Sequence, residues 1–98
     1  MAEALTAEDQ LAIRDTIARY AWALDTGDAA GLAACFAPGA VFDDMGRRYT
    51  DFAELAATLF VKPGFRGRQH LSLNHLIRGA GGRATVRSFG LVVKWETT

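Results

Sequence analysis

The two residues of this chain best suited to chemistry are a carboxylate, Asp25, and an imidazole, His75, fifty residues later. Asp25 lies at the end of a segment with helical periodicity, and His75 lies on the apolar face of a segment with strand alternation. In an apolar pocket such a pair acts as a general base, because the carboxylate fixes the ring tautomer and stabilises the imidazolium. Tyr20 is suited to hold a substrate oxygen, and Asn74 adjoins His75.

Each of these residues also has an ordinary structural interpretation. A histidine on an apolar strand face is more often a hydrogen-bonded core residue than a base. Asp25 precedes Thr26-Gly27-Asp28 and could belong to a helix end, although a negative charge is unfavourable at a helix C-terminus. Tyr20 is centred on the apolar stripe of its helix, so core packing explains it equally well. Catalysis and packing both stay open at this point.

The remaining candidate ligands and nucleophiles predict no metal site and no nucleophilic catalysis. Asp43 and Asp44 are adjacent at a strand end and point to opposite faces, so they form no carboxylate pair. Together with His70 and His75 they match no metal-binding spacing. The roles of His70 and the two aspartates stay open. Cys35 is the only cysteine, which excludes an intrachain disulfide and favours buried packing.

Composition predicts a single domain, residues 1–98, of ordinary globular type. Half of the residues are apolar, 22% are charged, and the formal net charge is zero. Zero net charge argues against a nucleic-acid or anionic-membrane partner. No run approaches the ~18 apolar residues of a membrane span, and the acidic N-terminus does not resemble a signal peptide. A cytoplasmic protein is expected.

Capping and turn residues predict the helices and two short strands. A first helix begins at Thr6 and stops at Gly27, and a second begins at Asp28 and ends at Pro38-Gly39. Residues 40–42 are expected to form a short strand, with a turn at 46–49 leading into another. A third helix follows, from residue 51 to the stop at residues 63–64.

Period-two alternation then predicts a long hairpin. The first strand spans Gln69–Arg78, the turn residues 79–82, and the second strand Ala84–Trp95. One face of the first strand is apolar and consists of Leu71, Leu73, His75 and Ile77. His70 belongs to the opposite, polar face. Helices placed before a mostly antiparallel sheet indicate an α+β fold.

Several stretches resemble the SnoaL-like proteins of the nuclear transport factor 2-like superfamily. The segment from Ile13 to Asp28 is similar to their first helix, and Phe36–Phe42 is similar to the passage from helix two to strand one. Arg68-Gln69-His70 followed by Asn74-His75 resembles their central strand. The resemblance runs over nearly the whole chain, and the order of these short motifs carries it.

The resemblance implies a cone-shaped α+β barrel in which N-terminal helices close a curved sheet around a pocket. Relatives include polyketide cyclases, scytalone dehydratase, a bile-acid dehydratase and a dehydrochlorinase, which generally need no metal or organic cofactor. In dehydratase-like members an Asp of the first helix pairs with a His of the sheet, and Asp25 and His75 match those positions, with Tyr20 matching a preceding tyrosine. Family domains usually continue with another strand pair, so the last strands are expected to be missing here, as in a fragment or a naturally short domain. Pairing through the sheet is common in the superfamily and implies a homodimer.

Two functional hypotheses follow. The first is a cofactor-independent lyase or isomerase, dehydratase-like, that acts on a small apolar oxygenated molecule. His75 would be the base or acid, Asp25 its orienting partner and Tyr20 a hydrogen-bonding group. Predicted substrate contacts are Trp22, Phe42 and Asn74. The alternative is a non-catalytic module that binds a small molecule or dimerises, which requires no contact between Asp25 and His75.

Overall fold

The computed structural model describes residues 3–61 and 67–95. Helices come first and antiparallel strands follow, which confirms the predicted α+β class. The described elements are α1 (Ala7–Thr26), α2 (Ala29–Ala34), β1 (Phe42–Asp44), β2 (Arg47–Tyr49), α3 (Phe52–Leu59), β3 (Arg68–Ala80) and β4 (Arg83–Lys94). In these residues, no helix has the length and apolar character needed to cross a membrane.

Helix α1 begins and ends where its capping residues predict. The Thr6 hydroxyl accepts a hydrogen bond from the Asp9 N–H at 3.0 Å, and the Asp9 carboxylate accepts from the Thr6 N–H at 3.0 Å. Gly27 ends the helix with a φ of 69°, a left-handed conformation that glycine adopts without steric cost. The predicted cap of α2 at Asp28 is confirmed, since its carboxylate accepts from Gly31 N–H.

The first hairpin is shifted along the sequence from its predicted position. The expected strand at residues 40–42 was wrong in its bounds, because β1 is Phe42–Asp44 and pairs with β2. The shift follows from the turn, which lies at Met45-Gly46, where both residues have positive φ. The Asp43 carboxylate accepts from the Gly46 N–H at 2.9 Å and so stabilises that turn.

The third helix begins at Asp51, as predicted, since the carboxylate of this residue accepts hydrogen bonds from the N–H groups of Ala53 and Glu54. The helix ends at Leu59, before the predicted stop. The residues of that stop, 63 and 64, lie outside the described part of the chain.

Strands β3 and β4 form the second hairpin, which is longer and tighter than the sequence predicts. The sequence predicts a four-residue turn at residues 79–82, but both strands continue up to a two-residue turn, Gly81-Gly82. Both turn glycines have positive φ, 62° and 76°, as a two-residue hairpin turn requires. The N-terminal segment meets this tip, where Gly81 N–H donates to the Glu3 carbonyl. Helix α1 therefore runs antiparallel to β3 and ends near the start of that strand.

A bulge in β3 overturns the predicted alternation. Leu73 pairs with Phe89 and Leu76 pairs with Arg87, so two residues of β3 oppose one residue of β4. Asn74, one of the two residues of the bulge, has a φ of 55°. The bulge shifts the alternation by one residue, so the more buried side chains are His70, Ser72, His75 and Ile77. The prediction that His75 shares a face with Leu71 and Leu73, opposite His70, was therefore wrong.

The core lies among the helices and the first hairpin. It consists of Ala23, Leu24, Leu32, Tyr49, Leu55 and Ala56, with six partly buried neighbours that include Tyr20, Phe36 and Phe42. Helix α1 packs on β3. Every residue of β4 is exposed, and in the described part of the chain β4 pairs only with β3.

Candidate active site

The closest polar contact between the helices and the sheet joins Asp25 to His70. His70 Nδ1 lies 2.6 Å from Asp25 Oδ1. The backbone N–H of His70 also donates to both carboxylate oxygens, at 3.1 and 3.0 Å. Both side chains are largely buried, with 27% of the His70 side chain and 19% of the Asp25 side chain exposed. Because a carboxylate only accepts hydrogen bonds, the contact places the ring hydrogen on Nδ1 and makes Nε2 the basic nitrogen.

This pairing corrects the expected couple between Asp25 and His75. Asp25 lies in the last turn of α1, and the antiparallel course of α1 brings that turn to the start of β3, where His70 lies. His75 lies further along β3, beyond the bulge, and its Nδ1 is 2.7 Å from the Ser88 hydroxyl of β4. A carboxylate–imidazole pair therefore exists, but with the histidine that the sequence assigned to the polar face.

A cavity of about 410 Å³ opens between α1, the aromatic side chains and the sheet. Its lining is mostly apolar and consists of Thr16, Ile17, Tyr20, Cys35, Phe36, Phe42, Ser72, Val86 and Ser88. Phe36 makes an edge-to-face contact with Tyr20, with centroids 6.0 Å apart, and stacks on Phe52 at 4.1 Å. These ring contacts fix one wall of the cavity.

Tyr20 is the phenol of that wall. Burial raises the pKa of Tyr20 to about 12, and the nearby Asp44 carboxylate adds to the increase. The hydroxyl is therefore a neutral hydrogen-bond donor throughout the physiological pH range.

A second, smaller cavity of about 160 Å³ lies beside the first. Tyr20 and Ser72 line both cavities, and His70 lines the smaller one. Other residues of its lining are apolar, such as Ala21 and Val92. His70, which Asp25 contacts, and Tyr20 thus border the same apolar space.

Of the other predicted site residues, some line the cavity and others do not. Phe42 lines the main cavity, as expected of a substrate contact. Trp22 is 71% exposed and does not line that cavity, because it lies on the outer side of α1. Asn74 forms the bulge and is exposed. Asp43 and Asp44 are both exposed, and Asp43 is engaged in its turn.

Sequence reasoning missed His70, Ser72 and Ser88 as site residues. The strand alternation carried a usable signal for Ser72, which lies two residues from His70 on the same face of β3. His70 was missed because the apolar face of early β3, Leu71 and Leu73, was expected to point inward, whereas the face of His70 and Ser72 is the more buried one. In the described residues, no group of three or more His, Cys, Asp and Glu side chains is arranged to hold a metal ion.

Comparison with known proteins assigns the family. No curated protein matches the chain. A crystal structure from Nostoc punctiforme PCC 73102, described as a protein of unknown function with a cystatin-like fold, matches with a TM-score of 0.82 and 30% identity. The match covers 92% of this chain and 69% of that one. Residues 5–98 match the SnoaL-like domain family, which includes enzymes such as polyketide cyclases and dehydratases. The chain therefore belongs to the SnoaL-like domain family of the nuclear transport factor 2-like superfamily, with its α+β cone fold.

Proposed function

We propose that this chain is a lyase or isomerase of dehydratase type, acting on a small, largely apolar, oxygenated molecule by His–Asp acid/base chemistry. The observation that carries the proposal is the 2.6 Å contact between Asp25 and His70 beside an apolar cavity that Tyr20 also lines. The presence of dehydratases and cyclases in the family supports this class of reaction. His70 takes the role first assigned to His75.

In the proposed reaction, Nε2 of His70 removes a proton from the carbon next to a substrate carbonyl. The electron pair of the broken C–H bond moves toward the carbonyl and forms an enolate. Asp25 stabilises the imidazolium that results, because the two opposite charges meet at hydrogen-bond distance. The imidazolium then returns its proton, either to a leaving hydroxide, giving water and a C=C bond, or to another carbon, giving an isomer.

Tyr20 is proposed to donate a hydrogen bond to the enolate oxygen. Tyr20 borders both cavities, and its raised pKa, about 12, keeps the hydroxyl protonated. A fixed donor aimed at developing negative charge stabilises the transition state more than the ground state. Phe42 and Phe36 would contact the apolar part of the substrate.

The test measures only the first step, cleavage of the carbon–hydrogen bond, so a model ketone can replace the natural substrate. The apolar ketone 2-tetralone is incubated in D2O, and NMR measures the exchange of its α-protons. The wild-type chain is compared with His70→Gln and Asp25→Asn, and His75→Gln is the matched control. Loss of a positioned base lowers the rate by about 10²-fold to 10⁴-fold, so His70→Gln should return exchange to the buffer rate. Asp25→Asn should slow exchange, and His75→Gln should not.

Two results would contradict the assignment. One is an exchange rate in wild type that does not exceed the buffer rate. The other is equal exchange in wild type and His70→Gln while both give well-dispersed, folded spectra. If His75→Gln alone abolished exchange, the base would be the histidine that the sequence pattern first suggested.

A second candidate function is binding without turnover. One observation favours it: His70 does not line the larger cavity, so a ligand that fills the 410 Å³ space does not have to touch the Asp25–His70 pair. Binding of such a ligand with no proton exchange in any probe would support a binding module. Fold alone does not decide between the two.

SnoaL-like domains often dimerise, and we propose a homodimer through the outer face of β3 and β4. That face is apolar and exposed, and it comprises Leu71, Leu73, Leu76, Phe89, Leu91 and Val93. Contiguous apolar surface of this kind marks a protein interface. Sedimentation equilibrium should give a dimer for wild type and a monomer for Phe89→Lys. A wild-type monomer at high concentration would exclude the proposal.

A further inference from the structure

The bulge of β3 creates a second polar pair, separate from Asp25 and His70. Without the extra residue, strict alternation from His70 would place His75 on the outer face of the hairpin. The bulge brings it to the cavity side, where Nδ1 lies 2.7 Å from the Ser88 hydroxyl. Asn74 adopts a φ of 55° to make this possible. Bulges that redirect one side chain are typical of functional sites.

Ser88 lies in the wall of the 410 Å³ cavity, and His75, which contacts it, does not line that cavity. The sheet wall consists of Ser72, Val86 and Ser88, and it faces the aromatic wall that contains Tyr20. Two other polar groups of the lining are already engaged locally. The Thr16 hydroxyl donates to the Ala12 carbonyl, and the Cys35 thiol donates to the Gly31 carbonyl. Ser88 is thus a polar group of the sheet wall, and the orientation of its hydroxyl is set by His75, which does not line the cavity.

The hydrogen bond to His75 determines what Ser88 can recognise. When the neutral imidazole carries its hydrogen on Nε2, Nδ1 accepts the Ser88 proton. The Ser88 oxygen then offers only lone pairs to the cavity. A ligand hydroxyl can donate to them, whereas an ether or carbonyl oxygen in the same place would face another acceptor.

We propose that Ser88, oriented by His75, is the hydrogen-bond acceptor that selects apolar ligands carrying a hydroxyl group at the sheet wall of the cavity. The ligand class is an alcohol or phenol with a compact apolar body. The inference rests on the proposed function only in requiring that the cavity admit a small apolar oxygenated molecule. It applies equally to a substrate and to a ligand that is bound without turnover.

The test measures equilibrium binding, separately from proton exchange. Two fluorescent probes of similar shape are used, 2-naphthol, which has a hydroxyl donor, and 2-methoxynaphthalene, which has only an acceptor. Binding of both probes is measured in the same mildly alkaline buffer. One neutral hydrogen bond corresponds to about threefold to tenfold in affinity. Wild type should therefore prefer 2-naphthol by at least about threefold, and Ser88→Ala should show no preference.

Two further variants separate this role from a general loss of polarity. Thr58→Ala, which removes a hydroxyl that donates to the Glu54 carbonyl and does not line the cavity, should keep the preference. His75→Ala should lose it although Ser88 remains, because the released hydroxyl can rotate and donate to the methoxy oxygen. In wild type, 2-naphthol should also shift the His75 ring signals in NMR more than 2-methoxynaphthalene does.

Three results would overturn the proposal: equal affinity for both probes in wild type, a preference that survives in Ser88→Ala, or no binding of either probe. The exchange experiment with 2-tetralone distinguishes these results from failure of the proposed reaction. A wild type that exchanges α-protons but does not discriminate between the naphthalenes retains the His70 chemistry and loses only the Ser88 assignment.

Discussion

The helical half of the molecule and the β3–β4 hairpin differ in how they bury apolar side chains. Leu32 and Leu55 are fully buried among α1, α2, α3 and the first hairpin. In the long hairpin only Ile77 is buried, and Phe89 is 70% exposed. The helical half therefore has its own core, whereas the hairpin is held by backbone pairing and by the packing of α1 on β3.

This difference indicates that the helical half mainly stabilises the fold, whereas the hairpin mainly provides the residues that would contact a ligand. The hairpin provides His70, Ser72 and Ser88, which face the cavities, from a scaffold with few buried side chains. Asp25 connects the two regions, since it lies in the last turn of α1 and accepts hydrogen bonds from β3. Local opening of a structure is easiest where few apolar contacts are buried. We therefore expect core substitutions to act on folding and hairpin substitutions to act on binding.

The largest effect on stability is expected from Leu55→Ala. The side chain is fully buried, and its removal leaves a cavity in the helical core. Leucine-to-alanine changes in such positions cost about 2–5 kcal/mol. Urea denaturation monitored by circular dichroism should show the loss. An effect below about 1 kcal/mol would indicate that the helical half is no better packed than the hairpin.

Gly79→Ala should produce the next largest effect, and it tests the hairpin directly. A Cβ atom at Gly79 would meet the Arg83 carbonyl oxygen at 2.1 Å and the Ala84 Cα at 2.7 Å. These are backbone atoms, so the pairing next to the turn must shift, at a cost of about 1–3 kcal/mol. Hydrogen exchange should show lost protection in β3 and β4. Gly90→Ala, where a Cβ meets nothing within 4 Å, is the matched control.

Asp51→Ala removes the N-terminal cap of α3, the helix that contributes Leu55 and Ala56 to the core. The carboxylate accepts hydrogen bonds from the N–H groups of Ala53 and Glu54. Loss of an N-terminal cap costs about 1 kcal/mol. Asp51→Asn should restore most of this stability, since asparagine also caps. Equal stability of Asp51→Ala and wild type in urea would show that the cap contributes nothing.

The phenol of Tyr20 should make stability depend on pH above 10. Its pKa in the folded chain is about 12, above the ordinary value of 10.0, because the phenolate is disfavoured by burial. The corresponding contribution is fully present below pH 10 and is lost as pH rises through about 12. Urea midpoints measured across this range should fall more steeply in wild type than in Tyr20→Phe. Parallel curves for the two proteins would contradict the burial of the hydroxyl.

Phe89→Ala should have the smallest effect on the folded monomer. The ring is 70% exposed, and substitutions at exposed positions usually change stability by less than about 0.5 kcal/mol. Urea unfolding at low protein concentration should leave the midpoint unchanged. A loss close to that of Leu55→Ala would mean that the hairpin face is buried in solution, as the homodimer requires.

The sequence predicts the helical half of the molecule better than it predicts the β3–β4 hairpin. Helix starts at Thr6, Asp28 and Asp51 were predicted because a cap depends on residues within one turn of it. The identity of the histidine beside Asp25 was predicted wrongly. That contact spans 45 residues and depends on which face of β3 packs against the end of α1, which strand alternation alone does not reveal.

Local chemistry thus determined the helices, their caps, the glycine turn and the α+β class, because each follows from short-range hydrogen bonding and periodic apolar patterning. The bulge at Asn74 and His75, the Asp25–His70 contact and the pairing of His75 with Ser88 were decided only by tertiary structure. The first and third follow from register, because a one-residue shift moves every later side chain of a strand to the other face, and only the partner strand sets where that shift occurs. The Asp25–His70 contact follows from the packing of α1 on β3, which brings two residues far apart in sequence together.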